Sequence, residues 1–151
     1  MKRCVVLCWC WCVMTAAASA QSAGGLYVAG DNFDFTQAVE RALAQHPSPS
    51  KFFVLAMGDA VRGLSVLAPP ELVEVRNRGA ARGAVYLVCR RAVDREAFRL
   101  SDLISGVVAV KGWPAPGSDE LPEGSKYYRD EDPSNLPSST EVLRRLRSTC
   151  S

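Results

Sequence analysis

The sequence has little of what a metal or cofactor site needs. It contains one histidine in 151 residues, and beyond the N-terminal region its cysteines stand only at Cys89 and Cys150. Zinc and haem sites use closely spaced cysteine and histidine ligands, and this chain has no C-x-x-C or H-x-x-x-H pair to supply them. We therefore predict no metal site and no cofactor.

The sequence also lacks an apolar run long enough to cross a membrane. Its longest run, Cys4–Met14, is shorter than the ~18–20 residues that a transmembrane helix needs. Lys2 and Arg3 precede this run, and the small residues Ala18–Ala20 follow it. This order is typical of a secretory signal, so we predict that residues 1–20 are cleaved. The prediction places the mature protein in the periplasm or outside the cell, with no membrane association after cleavage.

An excess of charge of one sign is missing as well. The whole chain carries 18 basic and 16 acidic residues, and removing Lys2 and Arg3 with the signal leaves 16 of each. A nucleic-acid-binding protein normally carries a clear basic excess. We therefore expect no nucleic-acid partner.

Short apolar runs that alternate with helical patterns predict the fold class. Asp34 and Gln37 have the spacing of a capping box, Pro69-Pro70 opens a later helix, and Gly79 is its expected end. Strands are predicted at 25–29, 52–57, 84–89 and 106–110, and helices at 34–45, 60–67, 70–79 and 90–100. Strands separated by helices at this spacing favour an α/β fold with a parallel sheet.

The C-terminal part has a different composition. Residues 113–137 hold six acidic residues and five of the nine prolines, without periodicity, which predicts a long Pro-rich acidic loop. We expect its acidic cluster at 119–132 to be solvated, because the spacing is not that of a calcium loop. Ser138–Glu141 has the capping-box pattern, so a final helix is predicted within 138–151.

Cys89 is the candidate catalytic residue. It lies at the predicted carboxyl end of a strand and the start of a helix, where the helix dipole together with Arg90 and Arg91 would stabilise a thiolate. Two other interpretations stay open. Cys89 is either a small buried residue that ends the strand, or one half of a disulfide with Cys150, as in many exported proteins.

A second candidate is the turn after the strand at 52–57. Gly58 and Asp59 follow this strand and precede a predicted helix, so backbone N–H groups there could bind an anion. Most glycines at such positions only permit a tight turn, and this is the alternative interpretation.

Three segments resemble the DsrE-like family of sulfur-relay proteins: Phe52–Val61, Gly83–Cys89 and Gly106–Gly112. Their order and spacing fit the family over roughly residues 25–112. The resemblance implies a DsrE-like domain over 21–112, built as a single three-layer sandwich with a largely parallel sheet of about four to five strands. It also implies assembly into a trimer or hexamer.

The resemblance suggests a function for Cys89. In sulfur-relay members a cysteine at this position carries a persulfide between a donor and an acceptor protein, which makes this chain a candidate sulfur carrier or sulfurtransferase. The alternative is a non-enzymatic periplasmic module for binding or assembly, in which Cys89 is buried or disulfide-bonded to Cys150. Whether the chain is an enzyme stays open.

Overall fold

The computed structural model describes residues 25–121 and 125–151. The predicted signal at 1–20 lies outside these ranges. The strands are β1 Leu26–Ala29, β2 Phe52–Ala56, β3 Ala84–Cys89 and β4 Val108–Val110. The helices are α1 Phe35–Gln45, α2 Pro70–Arg82, α3 Arg90–Asp94 and α4 Thr140–Thr149. Short 3₁₀ helices occupy Gly58–Leu64, Leu100–Asp102 and Pro133–Asn135.

The four strands form one parallel sheet in the order β1-β2-β3-β4. Phe53 of β2 aligns with Leu26 on one side and with Val85 on the other. All five residues of β2 are buried, as expected for a central strand covered on both faces. The α/β class and the parallel sheet predicted from the sequence are confirmed.

Helices cover the two faces of the sheet unequally. Because consecutive strands are neighbours, the crossovers advance in one direction, and α1 and α2 pack side by side on one face. That face contributes Val54 and Val88 to one apolar cluster, whereas Leu55 and Leu87 point to the other face. The second face is covered by α4 and by Leu136. The sheet is therefore the middle of three layers.

The two predicted capping boxes have different outcomes. At α1 the box is formed, since Gln37 N donates to Asp34 Oδ1 at 2.8 Å and Asp34 N donates to Gln37 Oε1 at 3.2 Å. At α4 the box is absent, and Ser139 at the N-cap makes no side-chain hydrogen bond. The helix begins one residue later than the pattern predicts, so Glu141 does not occupy the third helical position that the box requires.

The predicted end of α2 at Gly79 is wrong. The helix continues to Arg82, and Gly83, in the left-handed region at φ +103°, ends it. Gly79 has a packing role instead, because a Cβ atom there would overlap the hydroxyl oxygen of Tyr86. Glycine thus lets the C-terminal part of α2 approach β3 closely.

Three other predicted elements are shorter or tighter than expected. The helix predicted at 60–67 is the 3₁₀ helix Gly58–Leu64, and the helix predicted at 90–100 ends at Asp94. Glu96 follows with a φ of +57°, which a continuing helix cannot contain. The last strand begins at Val108 instead of Gly106, whose φ of +85° belongs to the preceding turn.

Candidate functional site at the Cys89–Cys150 disulfide

Cys89 and Cys150 form a disulfide in the structure. Cys89 is the last residue of β3, and Cys150 is the C-cap of α4, 61 positions later, with 5.1 Å between their Cα atoms. Both residues are buried, at 9% and 3% exposure. The bond therefore joins the carboxyl edge of the sheet to the helix that covers its second face.

The two predicted thiolate stabilisers lie on the short helix that follows Cys89. Arg90 pairs with Asp94 one turn later, with 3.3 Å between Nε and Oδ1, and Arg91 is exposed. A sulfur held in a disulfide bears no negative charge. In the oxidised protein these guanidinium groups consequently have no thiolate to stabilise.

Arg147, on α4 three residues before Cys150, forms a buried ion pair with Glu131 of the segment after β4. The guanidinium of Arg147 binds the carboxylate of Glu131 through two contacts, Nη2–Oε2 at 2.6 Å and Nη1–Oε1 at 3.1 Å. It also donates to the carbonyl oxygens of Lys111 at 2.9 Å and Lys126 at 3.0 Å. One side chain thus connects α4, the end of β4 and the loop that follows β4.

Tyr128 completes this network. Its hydroxyl donates to the carbonyl oxygen of Gly112 at 2.6 Å, and its ring lies 4.5 Å from the guanidinium carbon of Arg147. Burial raises the pKa of the Tyr128 hydroxyl, and the nearby Arg147 charge opposes this shift. The tyrosine is thus held as a neutral hydrogen-bond donor.

The C-terminal residues are also attached to the sheet edge. Trp113 N donates to Ser151 Oγ at 3.0 Å, and Trp113 Nε1 donates to Ser148 Oγ at 3.3 Å. A Cβ atom at Gly112 would overlap the carbonyl oxygen of Cys150. The chain after β4 therefore needs glycine at 112 in order to pass the C-terminus.

Sequence reasoning missed the Arg147–Glu131 pair. Glu131 belongs to the acidic cluster that was expected to be solvated, and its carboxylate is instead buried and accepts from Lys111 N at 3.1 Å and Tyr128 N at 3.2 Å. A signal was present in α4. Arg147 stands four residues after Leu143, on the apolar face of the helix.

The predicted anion-binding turn at Gly58 and Asp59 is not part of the disulfide and its Arg147 network. Gly58 starts the 3₁₀ helix after β2, and Asp59 lines a cleft of about 590 Å³. The cleft is lined by four acidic residues and one basic residue, which are Asp31, Asp34, Asp59, Glu71 and Arg62. This charge disfavours an anion. Gly58 and Cys89 follow the carboxyl ends of two neighbouring strands, since Ala56 aligns with Val88. The 3₁₀ helix after β2 packs in the first apolar cluster, on one face of the sheet, whereas Cys89 packs in the second, on the other face.

Within the described ranges, no group of three or more histidine, cysteine, aspartate or glutamate side chains is arranged to hold a metal ion. No helix in the same ranges is long and apolar enough to cross a membrane.

The fold and the site together define a parallel α/β protein whose last helix is fixed to the sheet by a disulfide and a buried ion pair. No family model, curated protein or solved structure matches this chain. The resemblance to the DsrE-like family stays a prediction from the sequence.

Proposed function

We propose that this chain is an exported, non-enzymatic module for binding and assembly, and that the Cys89–Cys150 disulfide is structural. The observation that carries the proposal is the bond between the two buried sulfurs. It occupies the sulfur of Cys89, the nucleophile that the sequence predicts at the carboxyl edge of the sheet. The protein then acts through its surfaces.

The position of the disulfide fits a structural role. It closes a loop across a separation of 61 residues, for which the chain-entropy model gives about 4 kcal/mol of stabilisation. The closed loop includes β4 and the segment between β4 and α4, whose described residues contain one short 3₁₀ helix, Pro133–Asn135. The disulfide attaches α4 to β3, and the Arg147 network attaches α4 to Lys111 and Lys126 of this segment.

The sulfur-carrier function needs a different state of Cys89. A Cys89 thiolate would attack the outer sulfur of a donor persulfide, forming a Cys89 persulfide and releasing the donor as a thiol. This step requires Cys89 as a free thiolate, because the sulfur of a disulfide is already bonded to a second sulfur atom. The Cys89–Cys150 bond would first have to be reduced by a dithiol or by two thiols, which are oxidised to a disulfide as Cys89 and Cys150 become thiols.

The experiment is to express the whole chain with its leader in a bacterial host and to isolate the protein from the periplasm. Intact mass and alkylation without reductant would report the thiols, with Cys150→Ser as the variant that frees Cys89 and Cys89→Ser as its matched control. We expect the wild-type mass to be two hydrogen atoms below that of the reduced chain, with no alkylation. Inorganic polysulfide should then add no sulfur.

The opposite result would favour the carrier. If Cys89 of the isolated wild-type protein is alkylated, and if it gains one sulfur atom from polysulfide while Cys89→Ser does not, the structural role is wrong.

A further inference from the structure

The outer face of α2 carries a groove with no partner in the described chain. The inner face of this helix buries Val75 and Gly79 against the core. Six residues on the outer face recur at helical spacing and line the groove together with Ala68: Pro70, Val73, Glu74, Asn77, Arg78 and Ala81. Most of these side chains are short, so another helix could approach the groove closely.

Large apolar side chains stand at the start of this groove. Leu67 is 89% exposed and Val66 is 57% exposed, the highest values for large apolar residues in the described ranges. Their backbone is held in place, because Val66 N donates to Asp102 O at 2.9 Å and Leu67 N donates to Ser65 Oγ at 3.1 Å. The backbone that carries the two exposed side chains is therefore anchored, next to Ala68 at the edge of the groove.

The charges along the groove suggest what covers it. Glu74 and Arg78 lie one turn apart on the same face and have opposite signs. If a second α2 packs antiparallel about a twofold axis near position 76, Glu74 of each copy faces Arg78 of the other. A parallel pairing would place like charges opposite one another, which is unfavourable.

Arg78 already pairs with Glu40 of its own chain. Both side chains are about half exposed, so this contact is an ordinary surface pair that leaves donors available. A guanidinium group has five N–H donors and can serve Glu40 and a second carboxylate together. The intramolecular pair thus links Arg78 to α1 and leaves its remaining donors for a second carboxylate.

We propose that the outer face of α2 is a homodimer interface, in which two copies pack antiparallel and Leu67 of each copy covers the carboxyl end of the groove of the other. The inference rests on the proposed function as an assembly module and names its partner, a second copy of this chain. The equal numbers of acidic and basic residues that remain after residues 1–20 remove net repulsion between copies.

Sedimentation equilibrium of the oxidised, exported protein tests the interface. We expect a dimer whose Kd rises about tenfold or more in Leu67→Asp and in Glu74→Arg, because each places an unfavourable charge in the contact. The double variant Glu74→Arg/Arg78→Glu restores opposite charges across the axis, so its Kd should return toward the wild-type value. The exposed Arg144 on α4, on the other side of the sheet, provides the control variant Arg144→Glu, which should leave Kd unchanged.

Four outcomes would overturn the interface: a monomer at every concentration, a trimer or larger ring, a dimer insensitive to Leu67→Asp, or a double variant as weak as Glu74→Arg alone. All substituted side chains are exposed, and thermal unfolding of each variant checks that it is folded.

Alkylation of the same samples separates the two proposals. A dimer with a free Cys89 refutes the structural disulfide alone, and a monomer with the disulfide intact refutes the interface alone.

Discussion

The guanidinium of Arg147 and the carboxylate of Glu131 form a buried, two-contact ion pair 16 positions apart in the sequence. Neither side chain has an appreciable exposed area, and Arg147 Nε has no hydrogen-bond partner in the described part of the chain. The pair and the nearby disulfide act on the same helix in different ways. The disulfide lowers the conformational entropy of the unfolded chain. The ion pair offsets the desolvation of two charges that are buried in the folded protein.

The first prediction concerns the loss of one partner. Glu131→Gln leaves the Arg147 charge buried without its carboxylate, so we expect the free energy of unfolding to fall by about 3–5 kcal/mol. Urea unfolding followed by circular dichroism measures this change. The matched control is Asp130→Asn, which removes a neighbouring carboxylate that is largely exposed. Equal effects of the two substitutions would show that the buried pair has no special role.

The second prediction concerns the disulfide. Cys150→Ser opens the loop, and the free energy of unfolding should fall by about 4 kcal/mol. Cys89→Ser and the double variant should lose about the same amount as the single variant, because all three remove one bond. Urea unfolding without reductant measures the three values. Additive losses in the double variant would mean that each sulfur contributes separately and that the bond does not form.

Much of the fold could be predicted from the sequence, because the central strands carry an unmistakable pattern. β2 and β3 are buried on both faces, so their residues form continuous apolar runs, and the predicted bounds agree with the structure to within one residue. A helix end is ambiguous in the sequence where a nearby glycine has two possible roles. Gly79 and Gly83 are both compatible with a helix end, and only the position of Tyr86 shows that Gly79 is needed for packing.

The site was only partly predictable. Cys89 and Cys150 could be named as a pair, but a separation of 61 residues contains no information about the distance between them. The Arg147–Glu131 pair was missed for the same reason. Whether a carboxylate in a Pro-rich acidic segment is solvated or buried depends on what the fold brings next to it.

The third prediction tests the close approach of α2 and β3. Gly79→Ala raises intrinsic helix propensity, yet its Cβ atom would overlap the Tyr86 hydroxyl, so we expect a destabilisation of about 1–3 kcal/mol. Tyr86→Phe removes the overlapping oxygen and also the hydrogen bond to Arg76 O at 2.6 Å. In the double variant Gly79→Ala/Tyr86→Phe the loss should be smaller than the sum of the single losses, measured by urea unfolding. Strict additivity would contradict the proposed overlap.

The fourth prediction concerns alkaline pH. Burial raises the pKa of the Tyr86 hydroxyl, and the Arg76 charge opposes this shift only in part. The folded protein therefore keeps the Tyr86 proton at pH values where the unfolded chain, with a tyrosine pKa of about 10, releases it. Stability from this group is fully present below pH ~10 and is lost as the pH rises further toward the folded-state pKa.

Urea unfolding at a series of pH values from neutral to strongly alkaline measures this dependence. Tyr86→Phe lowers stability at neutral pH but cannot ionise, so its free energy of unfolding should decline less steeply above pH ~10 than that of the wild type. Tyr128→Phe is the matched variant, since burial also raises the pKa of Tyr128 and a similar flattening is expected. Parallel pH profiles for the wild type and both variants would show that neither hydroxyl is held in its neutral form by the fold.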